Sequence, residues 1–381
     1  MQGERIERRR MSVRHDQLRR GSVVQSISKE VPWDIFDRLF LPILYCHAFA
    51  ILFSALMNIF EINFAFSTFG IFFIFSFVTI ILTLFYHNLK VSSSGKAILV
   101  TGCESPLAWY LCKKLDDIGF TVFAGFKNVT NNADAELLKD ECSARVRVVQ
   151  IDASSESQMQ EAVKFIESHL PTEAIGLWAL VPCDQWCAIG ELEWIPQEVL
   201  KKALDVNIIN TVRLTQVMLP LIRRGGGRLI FLSSALSKIY NPVRGIQSAV
   251  HNAIESFALC LRTELRRHGI TVCVVATGEF ASGTAWLDNE DMLEQAKAMW
   301  TKMNDSKRFE VYDEKYFEFT LRQLERYTKV TVDLTPAIHT LIDTIHRAFP
   351  LPRYTPITRE EKVKTLVAEY LPWAIYDVIY N

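Results

Sequence analysis

Gln247 and His251 lie four residues apart in Ile246-Gln247-Ser248-Ala249-Val250-His251-Asn252-Ala253, a stretch that opens an amphipathic helical segment. Side chains at that spacing sit one turn apart on one helix face. A glutamine amide donates and accepts hydrogen bonds but is neither acid nor base near pH 7. An imidazole titrates near neutrality, so only His251 of the pair has proton chemistry open to it. His251 is also consistent with a plain helix-surface histidine, and that is the expectation. An apolar run ahead of the pair ends in Ser233-Ser234, with Ser234 thirteen residues before Gln247. Farther upstream, Ala97–Thr101 runs into Gly102-Cys103-Glu104-Ser105-Pro106-Leu107-Ala108-Trp109. Pro106 suits the first turn of a helix there. Cys183, Cys187 and His251 have the wrong number and spacing for a metal, so no metal site is expected. Tyr240 is at the wrong spacing to supply a proton and is expected to pack in a loop.

These residues need a scaffold. The chain has 381 residues and a formal net charge of -1. That length suits one large domain or two smaller ones. The near-neutral balance gives no electrostatic reason for a nucleic-acid partner. The eight cysteines are scattered, with no CxxC, and are expected as reduced core residues.

Residues 1–30 form a basic tail with Arg5, Arg8, Arg9, Arg10, Arg14, Arg19 and Arg20. No apolar stretch lies close to Met1, so this is not read as a cleaved signal peptide. Residues 31–88 are read as membrane-anchoring helices. Leu39 to Phe60 is mostly apolar, and Phe64 to Tyr86 holds no charged residue. A bilayer core takes about 20 apolar residues per helix. Glu61-Ile62-Asn63 would turn a helical hairpin; the other reading is one span plus a buried or interfacial helix. The arginine-rich tail stays cytosolic, and with two spans the main domain does too. The endoplasmic reticulum membrane is expected rather than a mitochondrial one, because Glu4, Glu7 and Asp16 argue against a presequence.

After the linker Val91–Gly95 the pattern alternates short apolar strands with helices. The strands are expected at Ala97–Thr101, Thr121–Gly125, Val146–Ile151, Leu177–Val181, Arg228–Ser233 and Thr271–Thr277. Helical stretches such as Gln197–Ile222 and Ile246–His268 separate them. This implies an α/β fold with a doubly wound parallel sheet, of the dinucleotide-binding kind. The expected division is a Rossmann-like domain over 89–320 and a helical, membrane-apposed lid extension over 321–381. The apolar aromatic tail from Tyr370 would pack on the domain or lie at a membrane surface.

Three stretches carry a specific resemblance: Lys96-Ala97-Ile98-Leu99-Val100-Thr101-Gly102, Gly119-Phe120-Thr121-Val122-Phe123-Ala124-Gly125 and Arg228-Leu229-Ile230-Phe231-Leu232-Ser233-Ser234. Over roughly residues 95–350 the chain resembles the short-chain dehydrogenase/reductase family. Within it, the chain resembles the membrane-associated branch of 17β-hydroxysteroid dehydrogenase type 2, retinol dehydrogenases and D-β-hydroxybutyrate dehydrogenase. Arg353-Tyr354-Thr355-Pro356 and the tail from Tyr370 resemble the end of the type 2 enzyme.

The resemblance implies a TGxxxGxG loop that admits a pyrophosphate at a helix N-terminus. Gly102 matches, while Pro106 and Ala108 replace the other glycines and Ser105 lies between. Weakened binding of NAD or NADP is the expectation, since Pro106 lacks an N–H. Asp152 matches the family's adenine-contacting aspartate, or is a strand-end turn residue. Pro182-Cys183-Asp184-Gln185 replaces Asn-Asn-Ala-Gly, which implies a re-formed pocket wall. Asn207 matches the relay asparagine and Ser234 the substrate-orienting serine; both can also be structural. Gly278 matches the glycine of a Pro-Gly turn. Phe126 and Lys127, after the second strand, offer no acid for a ribose hydroxyl and leave NADP open. Gln247 and His251 occupy the places of the catalytic tyrosine and lysine.

The resulting expectation is a membrane-anchored relative of lipid-alcohol dehydrogenases, catalytically degenerate, with a binding or scaffolding role. One alternative is an active NAD(P)-dependent oxidoreductase interconverting an apolar alcohol and ketone. Another is a membrane–protein interaction module. An apolar small-molecule ligand and a homodimer are further implications of the family.

Overall fold

The computed structural model describes residues 33–60, 67–188, 190–240, 243–278, 289–303, 312–328, 334–372, 374, 375 and 378. The basic tail of residues 1–30, the turn Glu61-Ile62-Asn63 and most of the aromatic C-terminal tail lie outside these residues. The described chain forms two compact units.

One unit is the apolar pair α1, Trp33–Ile59, and α2, Thr68–Asn88. Leu39–Ile59 and Thr68–Asn88 are each 21 residues long, with mean hydropathy 2.1 and 2.4. By length and composition both can cross a bilayer. They run antiparallel: Cys46 Sγ lies 3.1 Å from Thr79 Oγ1, whereas Phe53 meets the ring of Phe75 at 6.4 Å. The Ser67 hydroxyl starts α2 by accepting the Gly70 N–H. Phe40, Phe69 and Phe73 point outward and are largely exposed. Residues 346–351 also belong here. Lys90 bridges Arg347, and the Ala348 N–H donates to the Leu89 carbonyl.

The other unit holds a seven-stranded parallel sheet. Its strands are β1 Ala97–Thr101, β2 Thr121–Phe126, β3 Val146–Gln150, β4 Leu177–Pro182, β5 Arg228–Ser234, β6 Thr271–Thr277 and β7 Arg353–Tyr354. The order is β3-β2-β1-β4-β5-β6-β7. Direction of growth reverses between β1 and β4, and that is where such sheets leave a crevice. β1 is buried at every position, as a strand covered on both faces must be.

The connections are α3 Pro106–Ile118, α4 Ala133–Glu141, α5 Glu156–Ser168, α6 Gln197–Leu204, α7 Asn210–Arg224 and α8 Gly245–Leu265. Ser105, Asn132 and Ser155 cap α3, α4 and α5 with side-chain acceptors, each satisfying N–H groups the helix itself cannot. Leu99, Phe123, Leu180, Leu214, Phe231 and Ile254 form the centre of one core face.

The six expected strands are present, each end within one residue. One expectation is corrected. Gln197–Ile222 is not one α-helix; a π-turn, Asp205–Ile209, joins α6 to α7. Helices α9 Asn289–Lys302, α10 Glu314–Thr328, α11 Thr335–His346 and α12 Arg359–Tyr370 follow β6, and β7 extends the same sheet. Trp300 and Phe317 stack at 4.4 Å, fastening α9 to α10 over Trp194. In the tail, the described Tyr370 and Val378 are exposed.

β7 has only two residues and is held by an ion pair. Arg353 Nε lies 2.6 Å from Glu255 Oε1 on α8, whose side chain is 9% exposed. Glu255→Ala should destabilise the full chain by about 3 kcal/mol, since it strands a mostly buried cation. Glu318→Ala, in the exposed pair with Arg322, should change it by less than about 0.5 kcal/mol. Thermal unfolding in mild detergent reads both; equal melting temperatures would show that the buried pair does not hold β7.

Candidate active site

The loop after β1 and the segment after β4 press together at the crevice. Gly102 has φ of +70°, and a Cβ there would lie 2.8 Å from Asp184 N and 2.9 Å from Cys183 C. Only glycine tolerates both the left-handed backbone and that approach. The loop then folds onto itself. Cys103 N donates to Gly125 O at 3.0 Å, and Ser105 N donates to Gly102 O at 2.9 Å. The Ser105 hydroxyl accepts the Ala108 N–H, and Trp109 N donates to Ser105 O. Pro106 stands in the first turn of α3, as its sequence position implied. The bulk of Trp109 turns away from the loop, with its indole N–H on the Asp134 carbonyl.

A group of charges lines the strand ends. The Lys127 backbone N–H, just after β2, donates to Glu104 Oε1 at 2.5 Å. The Lys127 ammonium lies 3.9 Å from Asp184 Oδ1. Burial pushes the Asp184 carboxyl above the usual range, against the pull of Lys127 and the Thr101 hydroxyl. Burial raises Glu104 likewise, and the Asp184 charge adds to it. Burial also keeps the Cys183 thiol protonated. The wall after β4 is thus re-formed around an ion pair. Asp152 serves its own turn: its Oδ1 accepts the Ser154 N–H at 2.9 Å, and its carbonyl accepts from Ser155.

On the other side of the crevice, Asn207 sits in the π-turn and is 4% exposed. Its amide oxygen accepts the Trp186 N–H at 3.0 Å, and its amide nitrogen donates to Trp186 O at 2.6 Å and Ala203 O at 2.7 Å. This bracket ties the segment after β4 to α6.

Ser234 ends β5 and is partly exposed. Gln247 lies on the first turn of α8, and its Nε2 is 2.6 Å from His251 Nε2. An amide nitrogen can only donate, so it donates to a bare imidazole nitrogen. This tautomer follows from the partner. His251 is 4% exposed, which corrects the expectation of a helix-surface histidine. Burial lowers its pKa to about 4, so it does not titrate near neutrality. The carbonyl of His251 accepts the Ser233 hydroxyl at 3.2 Å.

Asn207 and His251 border one cavity with Pro182, Asp184 and Gln185, of about 10 Å³. That is the room of a single water. Ser234 is not among the residues lining it. Gly278 follows β6 and lies against the Glu361 carboxylate of α12. Tyr240 is 49% exposed rather than packed. Cys260 is exposed, unlike the buried cysteines 103, 112, 183, 187 and 273. Glu104 escaped the sequence reading; its signal was an acid lying between the positions of the glycine pattern.

The chain matches the short chain dehydrogenase family over residues 96–293. It is 33% identical to the mitochondrial D-beta-hydroxybutyrate dehydrogenase of Rattus norvegicus over 297 residues, covering 77% of this chain and 86% of that protein. It is 30% identical to the Homo sapiens 17-beta-hydroxysteroid dehydrogenase type 2 over 298 residues, covering 74% and 72%. A short-chain dehydrogenase from Streptomyces avermitilis shares the fold at TM-score 0.55 and 17% identity, over 76% of this chain and 100% of that one. One from Burkholderia cenocepacia, solved in complex with NADP, does so at 0.54 and 16%, over the same shares. Sheet order, crevice and sequence agree: the chain belongs to the short-chain dehydrogenase family.

Proposed function

We propose that this protein is a membrane-anchored short-chain dehydrogenase relative that no longer transfers hydride and acts by binding. One observation carries the proposal: the places of the family's proton donor and its cation hold Gln247 and a buried, neutral His251. A phenol at the first place would relay the substrate proton, and a cation at the second would lower the phenol pKa. Neither an amide nor an uncharged imidazole does either. Ser234 still stands at the strand end, where it can hydrogen-bond a ligand oxygen.

The family's cofactor, NAD or NADP, would lie along the strand ends at the crevice and supply the hydride. The glycine loop as folded supports a weakened hold on a pyrophosphate. Its Cys103, Ser105, Ala108 and Trp109 N–H groups are engaged, and Pro106 has none. Relatives named for hydroxysteroids and hydroxybutyrate support an apolar alcohol, ketone or hydroxy acid as ligand. The two apolar helices support anchoring in a bilayer. With both crossing, the sheet domain lies on the cytosolic side, in our reading at the endoplasmic reticulum membrane.

The full chain in mild detergent should oxidise NADH or NADPH with steroid or short keto-acid substrates no faster than its Ser234→Ala variant. Loss of positioned acid–base groups lowers a rate by about 10²–10⁴. Substrate-dependent turnover well above that variant would overturn the proposal. Joint replacement Gln247→Tyr with His251→Lys should restore turnover only where the remaining pocket is intact.

The neutral imidazole also sets a pH dependence. The folded pKa is about 4, below the unfolded value near 6.5. The unfolded chain therefore takes up the proton first, and stability falls as pH drops through the interval between those values. Between pH 7 and pH 5 the protein should lose about 2 kcal/mol that His251→Gln does not lose. Parallel pH slopes in thermal unfolding would show that His251 titrates in the folded state as it does in the unfolded chain.

A further inference from the structure

A second cavity lies at the other end of the sheet, where β2 and β3 begin. It holds about 400 Å³ and is lined by Thr121, Ser143, Ala144, Arg145, Arg147 and Pro171. β3 is an edge strand. Arg145 precedes it and Arg147 is its second residue, so their spacing of two places both side chains on one side of the chain. Two like charges are thus brought to one wall, and only one of them is neutralised. Asp116, 6% exposed, takes Arg145 Nη2 at 3.1 Å. The same carboxylate accepts the Ser143 N–H at 2.7 Å and the Ser143 hydroxyl at 2.5 Å, so it is fully engaged. Arg147 Nη1 donates to the His169 carbonyl, a group without net charge. Among the described residues no carboxylate lies within ion-pair reach of Arg147, and its Nε and Nη2 have no partner.

We propose that this cavity is a binding site for a phosphate monoester, anchored by Arg147. A guanidinium presents paired N–H donors that match two oxygens of one phosphate. Arg145 retains its Nε and Nη1 beside it, and the Thr121 hydroxyl lies on the same wall. The volume exceeds that of a bare phosphate and falls within the range of small-molecule sites. Ala144 and Pro171 offer an apolar surface to the organic part of the ester. The family's cofactor does not account for the site, because nucleotides lie beyond the carboxyl ends of such strands and these are the amino ends. A soluble phosphate ester and the headgroup of a lipid share this chemistry.

The test is isothermal titration of the full chain in a phosphate-free detergent, with chloride holding ionic strength constant. The probes are glycerol 3-phosphate, for the soluble source, and dihexanoyl phosphatidic acid, for the lipid source. Millimolar or tighter binding is expected for at least one. Arg147→Gln should weaken it by about tenfold or more, the scale of charge-assisted donors lost. Arg147→Lys keeps the charge without the planar fork and should weaken it less. Lys127→Gln, which removes the cation of the crevice, should change it by less than about twofold. Melting temperatures check folding, and Arg147→Lys carries the test where Arg147→Gln does not fold. Loss of affinity at Arg147 supports the proposal with either probe, and the tighter of the two names the source. The proposal is overturned where neither probe binds at up to about 10 mM, where folded Arg147 variants bind as the parent does, or where Lys127→Gln gives the larger loss. No turnover is read, so this outcome is separate from that of the hydride-transfer assay.

Discussion

Desolvation at the crevice between β1 and β4 governs everything the site can do. The loop after β1 lies so close to the segment after β4 that a single added carbon on Gly102 would fall 2.8 Å from Asp184 N. Ionisable groups gathered there are removed from water, and each responds in the direction that removes its charge. The His251 imidazole falls to about 4, while the Asp184, Glu104 and Cys183 groups rise. Charge survives where it is paired, as between Lys127 and Asp184. An enzyme of this family needs the opposite arrangement, with a fixed cation held beside a phenol.

The sheet was legible in the sequence because its signal is local. A buried parallel strand reads as a short apolar β-branched run, and such runs mark β1 to β6 within a residue of their ends. β7 was not legible: two residues, Arg353 and Tyr354, carry no periodicity. Its place depends on an ion pair with Glu255, far away in sequence. The π-turn at Asp205–Ile209 escaped for a similar reason. Asn207 draws the backbone of Trp186 against the helix, and periodicity cannot register a tertiary bracket that widens one turn.

The site was legible in part. The sequence placed Gln247 and His251 on one helix face, and they touch. It set His251 at the surface because the spacing of one helix names only the face turned to its own apolar stripe. α8 is covered on more than that face, by β5, β6 and the π-turn. Pro182-Cys183-Asp184-Gln185 was legible as a changed wall, but the partner of Asp184 was not, since Lys127 follows a different strand. Glu104 was passed over because attention to the spacing of glycines says nothing of the residues between them. A carboxylate in a loop whose family holds phosphate is itself a signal.

The two departures at 247 and 251 are better understood as one unit than as two losses. A neutral histidine buried at position 251 presents an acceptor nitrogen, and an unpaired buried acceptor costs about 1–3 kcal/mol. Gln247 supplies the donor one helical turn away. A tyrosine at 247 would have to donate its hydroxyl proton to that nitrogen, and would then hold no proton toward a ligand. A lysine at 251 beside Gln247 would bring an uncompensated charge into a site that has driven charge out. A tyrosine or a lysine therefore conflicts with the present partner, and either single replacement lowers stability without building a proton path. Such coupling between neighbours is what non-additive changes look like.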